Sequence, residues 1–131
     1  MNLGSAWLGL NGVVFLGYGV VCLFTPSMPA DYAGIALSTS SGETEIRAMY
    51  GGLQAALGAF LLFCALSAGR QAEGLRTMAF LIGGLALGRA FGLLLDGLSS
   101  YNVYALAYEA FAALVALWAL RQNPTTSGQS E

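Results

Sequence analysis

Arg47, Gln54, Arg89, Asp96 and Glu109 are the side chains best placed to do chemistry, because each sits in a run otherwise apolar enough to cross a lipid bilayer. The clearest run is Met78 to Leu98, where Arg89 and Asp96 are the charged residues. They are seven apart and therefore share a helical face. A charge near the bilayer centre costs roughly 2.5–3.5 kcal/mol on insertion scales and roughly 10–17 in simulations, so such residues face a partner, a cavity or a bound molecule. Two chemistries fit. An arginine can hold the polar or anionic head of a lipophilic molecule. Alternatively, Glu109 or Asp96 kept protonated by burial can serve as a general acid, with the other carboxylate as base. In that case Arg89 would orient the carboxylate or stabilise developing negative charge.

The rest of the composition narrows the field. The 131 residues are 56% hydrophobic and 9% charged, with a mean hydropathy of +0.67. A soluble domain carries about 25% charged residues, so this is a membrane composition. Net charge is −2 and lysine is absent, which leaves no basic patch for nucleic acid. Histidine is absent too, removing the usual metal ligand and the usual general base near neutral pH. No metal or other cofactor is expected. Cys22 and Cys64 lie in separate apolar segments, expected at opposite depths, and read as buried packing residues with no disulfide between them. The opening MNLGSAW lacks a basic region, so the first apolar segment is expected to be retained as a span.

Four segments must position these groups: Ala6–Phe24, Thr44–Ala68, Leu75–Leu98 and Tyr101–Leu120. Each approaches the ~20 apolar residues that a hydrocarbon core requires. The expected architecture is an all-α, integral membrane, antiparallel four-helix bundle spanning residues 1–121 as one domain. It has a long loop at 25–43 and a disordered polar tail at 122–131. Arg70, Arg76 and Arg121 fall on one side of such a bundle, against Arg47 near the other. The positive-inside rule then puts both termini in the cytoplasm, with Trp7 and Trp118 at the inner interface. Gly84, Gly88 and Gly92 form a ladder on the third segment, Gly51, Gly52 and Gly58 mark the second, and the fourth holds seven alanines. Close intramolecular packing is the preferred reading of these small residues, ahead of a dimer seam.

Helical rise sets the depth of each polar group. Gln54 lies ten residues into the second span, Arg89 nine residues from Leu98, and Glu109 eight residues from Tyr101. All three come close to the midplane, and Arg89 with Glu109 is the natural ion pair. Arg47, Gly51, Gln54 and Gly58 make a stripe at i, i+4, i+7 and i+11, suited to a cavity wall. Tyr101, Tyr104 and Tyr108 make another, and Asn11, Phe15, Tyr18 and Cys22 share a face of the first span. Plainer readings exist for each. Arg89 with Glu109 can be a staple fixing helix register. Glu43 and Glu45 suit a helix start, with Ser40 and Glu43 at capping-box spacing. Tyr101 can be an interface anchor, and Asp96 can be half solvated beside its turn. The set of five charged or amide groups on three short helices nevertheless exceeds what stapling requires.

The run Thr39-x-x-Gly42-x-x-Glu45-x-Arg47-Ala48-x-Tyr50-Gly51-Gly52, followed by Gly88-Arg89-x-x-Gly92-x-x-x-Asp96-Gly97, resembles a bacterial family of small four-helix membrane proteins. That family is a domain of unknown function, distantly DoxX-like in pattern. The resemblance extends from the first span to Leu120. It implies four spanning helices and membrane residence, and a bacterial inner membrane is the expected setting. It assigns no activity, so the matching positions mark a site without giving roles.

Three functions remain open at this level. The first is a binding protein, or an accessory subunit of a membrane complex, holding a membrane lipid or other lipophilic molecule in an outer-half cavity. Glu45, Arg47, Tyr50, Gln54, Tyr18, Tyr104 and Tyr108 would contact the ligand, and the 25–43 loop would act as a lid. The second is a membrane isomerase, cyclase or epoxide hydrolase using Glu109, Asp96 and Arg89. The third is an ion or proton pathway, which four short spans would have to complete by homo-oligomerising. An arginine-free carboxyl inside a closed pocket would favour the enzyme, and full pairing would favour binding or structure.

Overall fold

The computed structural model describes residues 2–67 and 69–122, and among these there is no strand. Five helices follow one another: α1 (Leu3–Phe24), α2 (Ser27–Ala33), α3 (Ser40–Leu66), α4 (Gln71–Asp96) and α5 (Ser100–Gln122). Four of them, α1, α3, α4 and α5, have 22, 27, 26 and 23 residues and are long and apolar enough to cross a membrane. At ~1.5 Å per residue they reach roughly 33–40 Å, more than a hydrocarbon core of about 30 Å. Large side chains such as Phe80 (83% exposed) and Leu94 point out of the bundle, as lipid-facing residues must. The fold is the expected all-α antiparallel four-helix membrane bundle. Gln122 still belongs to α5, and the expected disorder of the tail beyond it lies outside the described residues.

The ends of the helices follow local chemistry. Asn2 caps α1, its Oδ1 accepting from the Ser5 amide at 2.9 Å, and its Nδ2 donates to Gln71 Oε1 at 2.8 Å, tying the start of α1 to the start of α4. The second span starts at Ser40, four residues ahead of the sequence expectation. Thr39 is its cap, the hydroxyl accepting from the Gly42 amide at 3.1 Å. The cap is therefore one residue earlier than the Ser40–Glu43 box suggested. The long connection is also partly helical. Seven residues form α2, which ends at Gly34 in the left-handed conformation (φ 72°) that glycine adopts without a Cβ penalty.

Within α3 the helix changes pitch. Residues Arg47–Gly52 form a π-helical turn, in which the Leu53 amide donates to the Ala48 carbonyl five residues back. One extra residue is thereby wound into the helix. The turn lies where the end of α1 crosses α3. A Cβ on Gly51 would sit 2.8 Å from the Leu23 side chain, and the Arg47 guanidinium donates to the Leu23 carbonyl, one of the last-turn acceptors of α1 that lack a helical donor.

The α1–α3 contact is a glycine seam. Gly12 and Gly19 on α1 meet Gly58 and Gly51 on the antiparallel α3, seven residues apart in each helix. A Cβ on Gly58 would lie 2.7 Å from the Gly12 carbonyl oxygen, and one on Gly19 would lie 2.8 Å from the Gly51 carbonyl oxygen. Small residues here let backbones touch, the source of van der Waals attraction where lipid gives no hydrophobic drive. In the α4–α5 contact Gly83 lies beside the buried Ala113, a Cβ at Gly83 coming within 3.7 Å of the alanine side chain. The α4 ladder departs from the expectation of close intramolecular packing. A Cβ on Gly84 or Gly88 would meet nothing within 4 Å, and one on Gly92 only the Asp96 side chain. No atom of a neighbouring helix lies within 4 Å of a Cβ built at these positions.

The two helix pairs converge at one end and part at the other. Leu8, Leu61, Cys64, Leu75, Met78, Ile82, Ala116 and Ala119 pack with no exposure near the terminal ends of the spans. Cys22 is equally buried, at the opposite end of α1. Between the pairs, toward α2 and the Ser99 turn, the bundle is hollow.

Candidate functional site

The hollow has a volume of about 540 Å³, within the ~300–1,000 Å³ usual for small-molecule sites. Its walls come from every helix. Val14, Phe15 and Tyr18 project from α1, Met28 and Tyr32 from α2, and Met49, Tyr50, Leu53, Gln54 and Leu57 from α3. Leu81, Leu85 and Arg89 come from α4, and Tyr101, Ala105, Tyr108 and Glu109 from α5. Most of this surface is aliphatic or aromatic, with Gln54, Arg89 and Glu109 among its polar members. The α2 helix brings Met28 and Tyr32 onto the cavity, the position the loop was expected to occupy as a cover.

Arg89 and Glu109 form the ion pair that their depths predict. Arg89 Nε donates to Glu109 Oε2 at 2.9 Å, and Nη2 donates to Oε1 at 2.7 Å. This two-bond fork is the strongest geometry open to an arginine and a carboxylate. Nη1 donates to Asn102 Oδ1 at 2.8 Å, and the guanidinium lies 5.8 Å from the centre of the Tyr101 ring, within cation–π range. Glu109 is 7% exposed. Both of its oxygens are engaged and its charge is matched by its partner.

A second polar chain separates the cavity from the packed core. Tyr108 donates its hydroxyl proton to Asn11 Oδ1 at 2.9 Å, and Asn11 Nδ2 donates to the Trp7 carbonyl at 2.9 Å. Trp7 Nε1 in turn donates to the Ala112 carbonyl at 3.3 Å, and the indole packs edge-on against Phe111 with centroids 5.6 Å apart. Asn11 is 1% exposed, so both ends of its amide have partners, as burial demands. Gln54 differs. Its Oε1 is buried and has no hydrogen-bond partner among the described residues.

The residues singled out from the sequence therefore divide. Tyr18, Tyr50, Gln54, Arg89, Tyr108 and Glu109 come together around one cavity. Arg47 is at the α1–α3 crossing, its guanidinium on the Leu23 carbonyl. Glu45, Asp96 and Tyr104 are exposed and are not part of the cavity wall. Asp96 ends α4, just before Gly97 (φ 94°). It shares a helical face with Arg89 but lies exposed at the end of the helix.

The structure also adds residues. Tyr101 lines the cavity and stacks near Arg89, where an interface anchor was the simpler reading. Asn102 holds Arg89, and its seven-residue spacing from Glu109 was the available signal, since it puts both acceptors on one face of α5. Met28 and Tyr32 carried no signal, because they belong to a short helix inside an apparent loop.

Among the described residues no group of three or more Cys, Asp or Glu side chains is arranged to hold a metal ion. No curated protein and no solved structure matches the chain. The profile of a family described as a domain of unknown function, DUF4345, matches residues 5–120. The segments from Glu45 to Gly52 and from Gly88 to Gly97 lie inside that match. With nearly its whole length covered, the chain belongs to the DUF4345 family, whose function is unknown.

Proposed function

We propose that this protein holds a lipophilic molecule within the membrane, its apolar body between the helix pairs and its polar head at Gln54, Arg89 and Glu109. The observation that carries this reading is the cavity: about 540 Å³, walled by all five helices, and lined mostly by aliphatic and aromatic side chains with the Arg89–Glu109 pair in its wall. A packed bundle without a ligand role would close such a space, because each unfilled void forfeits contacts. The acid–base alternative requires a carboxyl free to exchange a proton. Both Glu109 oxygens accept from Arg89, and Asp96 stands outside the cavity wall. Pairing of this kind supports binding over catalysis.

In the proposed setting, a bacterial inner membrane with both termini in the cytoplasm, the cavity occupies the outer half of the bilayer. The distribution of Arg70, Arg76 and Arg121 against Arg47 supports that orientation. The test is native mass spectrometry of protein extracted gently from its own membrane, wild type beside Ala105→Trp, which fills the cavity from α5. A defined lipophilic molecule is expected on wild type and not on the folded variant. An empty wild type, or equal occupancy of both proteins, would overturn the reading.

A further inference from the structure

We infer that the bound molecule carries an uncharged, oxygen-bearing head, held by the hydroxyls of Tyr50 and Tyr101 and the spare N–H groups of Arg89, and that the cavity excludes anionic and cationic lipids. This rests on the cavity reading above and specifies its ligand class. Two independent observations point the same way.

The first is charge balance. Of the described side chains that line the cavity, Arg89 and Glu109 are the charged ones, and the other polar members are tyrosines and Gln54. Joined by two hydrogen bonds, the two charges sum to zero. Arg47 donates to the Leu23 carbonyl and is not part of the wall. A phosphate or carboxylate head would leave a net negative charge beside Glu109, in a space of low dielectric. A quaternary ammonium would leave a net positive one beside Arg89. Burial penalises an unpaired charge of either sign, so the cavity suits a neutral group.

The second is a set of unspent donors. An arginine has five N–H groups and no acceptor. Arg89 gives one from Nε and one from Nη2 to Glu109, and one from Nη1 to Asn102. One N–H on each terminal nitrogen therefore lacks an acceptor among the described residues, and the side chain keeps 22% of its surface open. The hydroxyls of Tyr50 and Tyr101 likewise make no hydrogen bond among the described residues. Neither residue is exposed, yet Gln54 Oε1 is the unpaired polar atom that is sealed off in such residues, so both hydroxyls remain reachable. Both tyrosines belong to the cavity wall, within electrostatic reach of Arg89 and of each other. Donors left open in a mostly apolar wall call for an acceptor oxygen, such as that of an ester, ketone or ether. Phe15, Leu57, Leu81 and Leu85 suit the hydrocarbon body.

The test uses the full-length protein in nanodiscs, with empty nanodiscs as the partition control. Four probes share one farnesyl skeleton: methyl farnesoate, farnesene, farnesyl phosphate and farnesyltrimethylammonium. Wild type is expected to bind the ester about tenfold more tightly than the hydrocarbon, the scale of one hydrogen bond to a charged donor, and more tightly than either ion. Tyr50→Phe and Tyr101→Phe remove hydroxyls that no described protein group uses. Each is expected to lower ester affinity about three- to tenfold, leaving hydrocarbon affinity and the thermal midpoint at wild-type values. Folded Glu109→Gln, which uncovers the Arg89 charge, is expected to gain about tenfold or more in affinity for the phosphate. A wild-type preference for either ion, or a folded Glu109→Gln no better for the phosphate, would overturn the charge assignment while leaving the cavity reading intact. Equal wild-type affinities for ester and hydrocarbon, or ester affinity unchanged in the tyrosine variants, would overturn the oxygen-bearing head and again spare the cavity. Failure of all four probes to bind would overturn both this inference and the cavity reading.

Discussion

The Arg89–Glu109 fork should behave energetically as one unit, and a double-mutant cycle can measure that. Glu109→Leu leaves the guanidinium in the bundle with Asn102 as its hydrogen-bond partner and the Tyr101 ring nearby, and Arg89→Met takes both donors from the carboxylate. Breaking a buried pair by removing one partner costs about 3–5 kcal/mol. The side chains are 22% and 9% accessible, which moves the expectation to the low end, about 2–3 kcal/mol for each single change. The double variant Arg89→Met/Glu109→Leu carries no buried charge, and its side chains are apolar and near the original lengths. It should lie about 1–2 kcal/mol below wild type, mostly from the unmatched Asn102 acceptor and imperfect packing. The coupling energy is then about 3 kcal/mol, at the upper end for contacting residues. Unfolding titrations in mixed micelles, followed by far-UV circular dichroism and tryptophan fluorescence, give the four free energies. A double variant destabilised by the sum of the singles, within about 0.5 kcal/mol, would refute the reasoning. It would mean that each side chain is held by its other neighbours and that the fork is incidental.

Three further outcomes follow from the packing. Gly58→Ala should destabilise the bundle by at least about 2 kcal/mol in the same titration, because its Cβ collides with the backbone of Leu16 and Gly12. Gly88→Ala, with nothing within 4 Å of the added carbon, should stay within about 0.5 kcal/mol of wild type, and a large loss there would reveal a packing partner for α4. Tyr108→Phe removes the donor to Asn11 Oδ1 and should cost about 1–3 kcal/mol, the penalty for orphaning a buried acceptor. No change in midpoint would show that water replaces the hydroxyl.

Much of this was legible in the chain itself. Apolar length alone locates α1, α3, α4 and α5, and counting residues from their ends brings Arg89 and Glu109 to one depth, where they are found paired. Helical depth is readable because rise per residue is constant. Azimuth is less readable, because which way a face turns depends on the neighbours. Asp96 shares its helical face with Arg89, yet one lies in the cavity wall and the other is exposed. Gly58 and Gly88 are alike in sequence terms, and only the first lies in a helix seam. The π turn explains a further part of the difference. By winding one extra residue between Arg47 and Gly52, it offsets Glu45 and Arg47 from the Tyr50 and Gln54 side that faces the cavity. The regular i, i+4, i+7 stripe through Arg47 therefore overstated how much of it faces one space. The hollow end had no sequence signature, because it arises from helix pairs that part.

The charge balance of the Arg89–Glu109 fork has a consequence in any membrane that carries a potential. One elementary charge moved through the full potential is worth about 2.3 kcal/mol per 100 mV. The Arg89–Glu109 fork has opposite charges held within one hydrogen-bond length, a small step across a hydrocarbon core of about 30 Å, so any tilt of the pair couples to the field by about a tenth of that value per 100 mV. The fork should therefore leave the stability of the bundle nearly the same in polarised and depolarised vesicles. Two full charges held this close to one another add little response to voltage.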